Sequence, residues 1–148
     1  MLKKIDHINI VVRDLENAKQ FFLDMGFIVN VSKEGELEGS WIEQVTKLKN
    51  AKGYYCTLSL PNAQTTIELI HYDNPKDQDD PLISKPNHVG IRHIAFEVED
   101  IKEIVSTLKA KGRHFFSEIQ EYKATKKQLC YFLGPEGIVL ELAEYAKK

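Results

Sequence analysis

The stretch IDHINIVVRDLENAKQFFLDMGF, Ile5–Phe27, decides the fold because a second stretch of the chain repeats its pattern. Set above IRHIAFEVEDIKEIVSTLKAKGR, Ile91–Arg113, it aligns without a gap. Ile5, His7, Ile8, Val12, Asp14 and Gly26 fall on Ile91, His93, Ile94, Val98, Asp100 and Gly112. Other core positions stay apolar: Ile10 with Phe96, Leu15 with Ile101, Ala18 with Ile104, Phe22 with Leu108. A second word also repeats, IELIHY (Ile67–Tyr72) against LELAEY (Leu140–Tyr145). Two matched words in the same order point to a duplicated module.

Each half opens with a β-branched run that predicts a strand, near Ile5–Val12 and Ile91–Val98. Asp14 and Asp100 then stand at N-cap positions, where a carboxylate accepts from the orphan N–H groups of a first helical turn. Asp100 with Glu103 has the spacing of a capping box. Apolar residues at Leu15, Ala18, Phe22 and Met25, and at Ile101, Ile104, Val105 and Leu108, form one buried helical stripe per half. Gly26 and Gly112 suit the left-handed residue that closes a helix. Further strands are predicted near Phe27–Ser32, Tyr54–Leu60 and Thr65–Tyr72, and near His114–Gln120, Leu129–Leu133 and Ile138–Tyr145. PNAQ and GPEG are their turns. The pattern is βαβββ, twice, an α+β class.

Two segments lie outside the repeat. DNPKDQDDPLISKPNHVG, Asp73–Gly90, contains three prolines and reads as the linker between module one (about 3–72) and module two (about 91–146). EGSWIEQVTKLKNA, Glu38–Ala51, is an insertion. Trp41, Val45 and Leu48 would share one helical face, with Ile42 beside it, as packing filler or as a cover over a substrate.

The chain has 148 residues, the size of one domain, with 43% hydrophobic and 28% charged residues and a net charge of −2. That balance argues against a basic nucleic-acid surface. No apolar run is long enough to span a membrane. MLKKIDHINIVV is followed by charged RDLENAKQFF rather than by a small-residue cleavage site, so a cytoplasmic protein is expected. The two cysteines, Cys56 and Cys130, sit in apolar runs and read as buried reduced thiols.

Strand residues alternate faces. Ile8, Ile10 and Val12, like Ile94, Phe96 and Val98, should face the helices. His7 and His93 then point to the opposite face. In the closing strands Ile67, Leu69, Leu140 and Leu142 are the apolar set, and Glu68 and Glu141 point away from them. Tyr72 and Tyr145 follow on the carboxylate face. A His in a strand is ordinary, and so is a Glu. A His and a Glu at equivalent places in both copies are not. If the helix-free face is concave, two imidazoles and two carboxylates can converge and supply N and O donors to a divalent ion. The two carboxylates carry −2, so the site would be formally neutral. His71, His88 and His114 have no repeat partner and are left out.

With these words in place the chain resembles the vicinal oxygen chelate superfamily, which includes glyoxalase I, methylmalonyl-CoA epimerase, extradiol dioxygenases and fosfomycin-resistance proteins. The carriers are IDHINIVVRDLENAKQFF, IELIHY, IRHIAFEVEDI and GPEGIVLELAEY, and they span nearly the whole chain. The resemblance implies paired βαβββ modules in one domain over 1–148, forming a curved mixed sheet with a metal cleft, commonly as a homodimer. It implies that His7, Glu68, His93 and Glu141 occupy the four ligand positions of bacterial glyoxalase I, around Ni²⁺, Zn²⁺, Co²⁺, Mn²⁺ or Fe²⁺. Dioxygenases and fosfomycin-resistance enzymes match only His7, His93 and Glu141, so Glu68 favours the proton-transfer enzymes.

By the same resemblance, Glu141 is the principal base and Glu68 its opposite number. The expected activity is a glyoxalase I-like lyase or isomerase, similar to a lactoylglutathione lyase, acting on a small molecule that chelates the metal through two oxygens. Methylmalonyl-CoA epimerase is the alternative within the same chemistry. A non-catalytic small-molecule binding or antibiotic-resistance module is the alternative of another class. The loop EYKATKK offers Lys123, Lys126 and Lys127 to an anionic group such as a CoA phosphate, or is simply solvated.

Overall fold

A computed structural model describes residue 1 and residues 3–78, 86–87 and 89–146. The chain divides into two compact units, Met1–Asp79 and Asp80–Lys148. Each unit carries one four-stranded mixed sheet.

In the first unit β1 (His7–Val11), α1 (Leu15–Asp24), β2 (Ile28–Glu38), α2 (Ser40–Thr46), β3 (Lys52–Ser59) and β4 (Thr66–Asn74) follow one another. The strand order is β1-β4-β3-β2, with β1 parallel to β4 and the other pairs antiparallel. In the second unit β5 (His93–Glu97), α3 (Ile101–Ala110), β6 (Gln120–Tyr122), β7 (Lys127–Leu133) and β8 (Val139–Glu144) build the order β5-β8-β7-β6 with the same directions. The expected βαβββ pattern is present in both.

Local chemistry explains the helices. Asp14 accepts from the Asn17 N–H at 3.0 Å, and Asp100 accepts from the Glu103 N–H at 3.1 Å. A second carboxylate serves α3, since Glu144 of β8 accepts from the Ile101 N–H at 2.8 Å. Both helices end in a left-handed glycine, Gly26 (φ 90) and Gly112 (φ 77). The Phe27 N–H then reaches the Phe22 carbonyl and the Arg113 N–H the Leu108 carbonyl, each at 3.0 Å, as in a Schellman closure.

Burial follows the predicted faces. Ala18, Phe21 and Phe22 of α1 are buried with Ile10, Leu58, Ile67 and Leu69 of the first sheet. Ile101, Val105 and Leu108 of α3 are buried in the second unit, with Phe132, Leu140 and Leu142 of its sheet. Full burial of a side chain such as Phe22 contributes about 2–3 kcal/mol.

The register reveals a further equivalence. Cys56 lies opposite Leu69 and Cys130 opposite Leu142, so the two buried thiols occupy the same place in the two modules. Burial pushes each thiol up to about 11.

Four expectations are corrected. Strand β2 runs on to Glu38 rather than stopping at Ser32, because Glu34–Glu38 pair with β3 beyond a register shift. The segment 114–120 is mostly not strand: Phe115 makes an isolated bridge to Phe132, and β6 begins only at Gln120. The insertion does form a helix, α2, but its anchor is Ile42, buried with Leu37, Ala51 and Ile70. Trp41 and Val45 are exposed, and Lys47 turns left-handed before Leu48, which breaks the helical spacing that would have joined the three. Strand β4 extends through Asn74, two residues into the expected linker. The rest of the linker from 79 to 85, together with His88, lies outside the described residues.

Candidate metal centre

In each module the outer parallel strand and its neighbour set a His and a Glu on the same face. Asn9 lies opposite Glu68, so His7, two residues earlier, leans diagonally toward the carboxylate. Ala95 lies opposite Glu141, and His93 stands in the same relation. The His7 Nε2 atom is 3.9 Å from Glu68 Oε1, and His93 Nε2 is 3.2 Å from Glu141 Oε2. Two donors at right angles around one ion, each about 2.1 Å from it, would be about 3 Å apart. The second pair is at that spacing and the first is wider. The four expected ligands are thus brought together as two pairs, one per module. Among the described residues no three His, Cys, Asp or Glu side chains gather into a single metal-holding group.

The two half-sites differ electrostatically. The Glu68 side chain is 25% exposed, and Asn9 Nδ2 donates to its Oε1 at 3.3 Å. On the other side of Glu68 stands the buried Thr57. Tyr72, four residues further on the same face of β4, has its phenol held above the usual range, by burial first and then by the Glu68 charge. The Glu141 side chain is only 5% exposed and is paired with a cation. Lys127 Nζ donates to Glu141 Oε1 at 2.6 Å, and the carboxylate holds the ammonium above the ordinary lysine range. Tyr131 lies opposite Glu141 and its ring centroid is 5.0 Å from that of His93.

Outer contacts orient the first imidazole. Asp6 Oδ2 is 3.1 Å from His7 Nδ1, which leaves Nε2 turned toward Glu68. His7 in turn holds the Asp6 carboxyl below its usual range. Arg92 occupies the corresponding position before His93.

Asp6 and Tyr131 are not among the residues that the sequence singles out. Asp6 adjoins His7 and could have been found; Lys127 was read only as one of a basic loop. That loop is largely committed within the chain. Lys126 pairs with Glu121 at 3.2 Å and Lys127 with Glu141, which leaves Lys123 exposed. His71 contacts the Val12 carbonyl at 3.1 Å and Asp73 at 3.3 Å. His114 is exposed outside the strands.

Duplicated βαβββ modules, each with a His–Glu pair on the face opposite its helix, define a vicinal oxygen chelate protein. Residues 4–142 match the family model described as Glyoxalase/Bleomycin resistance protein/Dioxygenase superfamily, and the chain belongs to that superfamily. The uncharacterized protein YaeR of Escherichia coli (strain K12) is 32% identical over 144 residues, 97% of each chain. The crystal structure of a glyoxalase family protein from Bacillus cereus superposes with a TM-score of 0.90 at 32% identity, over 99% of this chain and 97% of that one. The mitochondrial methylmalonyl-CoA epimerase of Mus musculus is 27% identical over 97% of this chain and 74% of its own length. Among the described residues no helix is long and apolar enough to cross a membrane.

Proposed function

We propose that the protein is a divalent-metal enzyme that moves a proton at a carbon next to a carbonyl, in a substrate that presents two neighbouring oxygens. The observation that carries this reading is the repeated pair, His7 with Glu68 and His93 with Glu141, on the corresponding strands of both modules. Two neutral imidazoles and two carboxylates are a donor set for Ni²⁺, Zn²⁺, Co²⁺, Mn²⁺ or Fe²⁺. The donors meet within one chain or across a homodimer.

When bound, such an ion supplies Lewis-acid polarisation of the substrate's oxygens. His7 and His93 hold it. Asp6 fixes the His7 ring, and Tyr131 flanks the His93 ring. Glu141 takes the proton from the carbon acid and returns it to the adjacent carbon, with Glu68 as the carboxylate of the other module. General acid–base help of this sort is worth about 10²–10⁴ in rate.

A glyoxalase-type conversion of a 2-oxoaldehyde thiol adduct is the first choice of reaction, because all four ligand positions are filled. Methylmalonyl-CoA epimerisation is the second reading, favoured by the 27% identity to the mouse epimerase. There the two carboxylates would serve opposite faces of one carbon. The experiment is a metal-supplemented screen of a glutathione hemithioacetal, a hemithioacetal of a second thiol, and methylmalonyl-CoA. Turnover of one, lost on chelation, is the expected result. Stoichiometric metal with no turnover of any would favour a binding module.

A further inference from the structure

We propose that Lys127 is a resident cation on Glu141, so that metal loading exchanges an ammonium for a divalent ion at one carboxylate. This rests on the assignment of Glu141 as a metal ligand. Glu141 is almost fully enclosed, and its two oxygens are already engaged: Oε1 accepts from Lys127 Nζ at 2.6 Å, and Oε2 lies 3.2 Å from His93 Nε2. A buried carboxylate without a partner is costly, and Lys127 supplies the charge that removes the cost. The lysine is itself well placed. It opens β7 on the face that carries Tyr131, and its ammonium lies 5.5 Å from the centre of the Tyr145 ring.

Module one carries no lysine at the corresponding register position. Tyr54 opposite His71 corresponds to Gln128 opposite Glu144, so the counterpart of Lys127 is Gly53. A Cβ at Gly53 would collide with the backbone carbonyl of His71, and no lysine fits there. Glu68 has instead the neutral amide of Asn9. The cation is therefore a property of one half-site and not of the repeated module.

An ammonium on Glu141 opposes a divalent ion in two ways. It draws charge from the carboxylate at Oε1, the oxygen beside the one that would donate with His93, and it places a like charge beside the incoming ion. The contrary role, an outer-shell group that orients Glu141 for the metal, predicts the opposite sign, because loss of such a partner weakens metal binding.

The test is a Co²⁺ titration of chelator-treated wild type, Lys127→Met and Lys127→Arg, followed by absorbance and calorimetry, with melting curves before and after loading. Lys127→Met should bind Co²⁺ about tenfold tighter or more, the equivalent of one charged hydrogen bond. Lys127→Arg should stay near wild type. Metal-free Lys127→Met should melt below wild type, and saturating Co²⁺ should close that gap. If Lys127→Met does not fold without metal, Lys127→Gln takes its place. Equal or weaker binding by the variant overturns the exchange while leaving the metal assignment intact. Absence of Co²⁺ binding in every chain, wild type included, overturns both.

Discussion

His93 Nε2 stands 3.2 Å from Glu141 Oε2, across the parallel pairing of β5 with β8. Glu141 is a buried charged residue in a strand whose Val139, Leu140, Leu142 and Ala143 are core side chains. Its enclosure predicts two separable effects of Glu141→Ala. Turnover of the active substrate should fall by about 10²–10⁴, the scale of lost acid–base help. Stability should fall by about 1 kcal/mol, because Lys127 keeps a part-exposed ammonium without its carboxylate. Circular dichroism and urea unfolding check the second effect, and steady-state kinetics the first. A fully active variant would remove Glu141 as the base.

Both thiols should be silent in the folded protein. Cys56 and Cys130 are buried at equivalent places, and burial holds each near 11. At pH 8 the nucleophilic thiolate is then a very small fraction. Ellman's reagent should label neither cysteine in native buffer and both in denaturant. Rapid labelling of either one without denaturant would contradict the core described for that module.

The two helix caps should differ in what they tolerate. Asp14 has an extended backbone (φ −125), whereas Asp100 is left-handed (φ 54). Asp14→Ala should cost about 1 kcal/mol, the loss of one capping bond. Asp100→Ala should cost about 2 kcal/mol, since alanine also resists the left-handed region. Asp100→Asn should lie within about 0.5 kcal/mol of wild type, because asparagine both caps and accepts that conformation. Urea melts of the three variants decide the order.

Lys19 gives a pH dependence with a definite sign. Its ammonium is 3.2 Å from Glu34 Oε2, and that hydrogen bond raises it above the usual 10.5. A group raised in the folded state stabilises at all pH values below its unfolded pKa and loses that contribution as pH rises through the folded one. Wild type should exceed Lys19→Met by about 0.5–1 kcal/mol at neutral pH, the range for a part-exposed pair. The difference should shrink only above about pH 10.5. Chemical unfolding of both chains from pH 7 to 11 measures it. A difference that already shrinks between pH 7 and 9 would assign the stability to another group.

Much of the fold was legible because the repeat converts weak signals into paired ones. One Asp before an apolar stripe suggests a cap; Asp14 and Asp100 at matched places predict two, and both form. The faces of β1, β4, β5 and β8 followed from alternation alone, since each carries an apolar row on the helix side. What was missed depends on long-range geometry or on local breaks in periodicity. The reach of β2 to Glu38 depends on a register shift against β3. The outward turn of Trp41 and Val45 depends on where Leu37 and Ile70 leave room for Ile42. The Lys127–Glu141 pair joins strands whose register no local pattern specifies, and a lysine in a basic loop gives no hint that it turns inward.

The proposal that His7, Glu68, His93 and Glu141 serve as ligands of a divalent ion is tested most directly by metal stoichiometry. Chelator-treated wild type, His7→Ala and His93→Ala should be titrated with Co²⁺ and the bound metal counted. Wild type should take up one ion per chain. Each variant should lose affinity by more than about tenfold, the smaller loss that follows removal of an outer-shell partner alone. Wild type that takes up no ion, or variants from both modules that bind as tightly as wild type, would contradict the site.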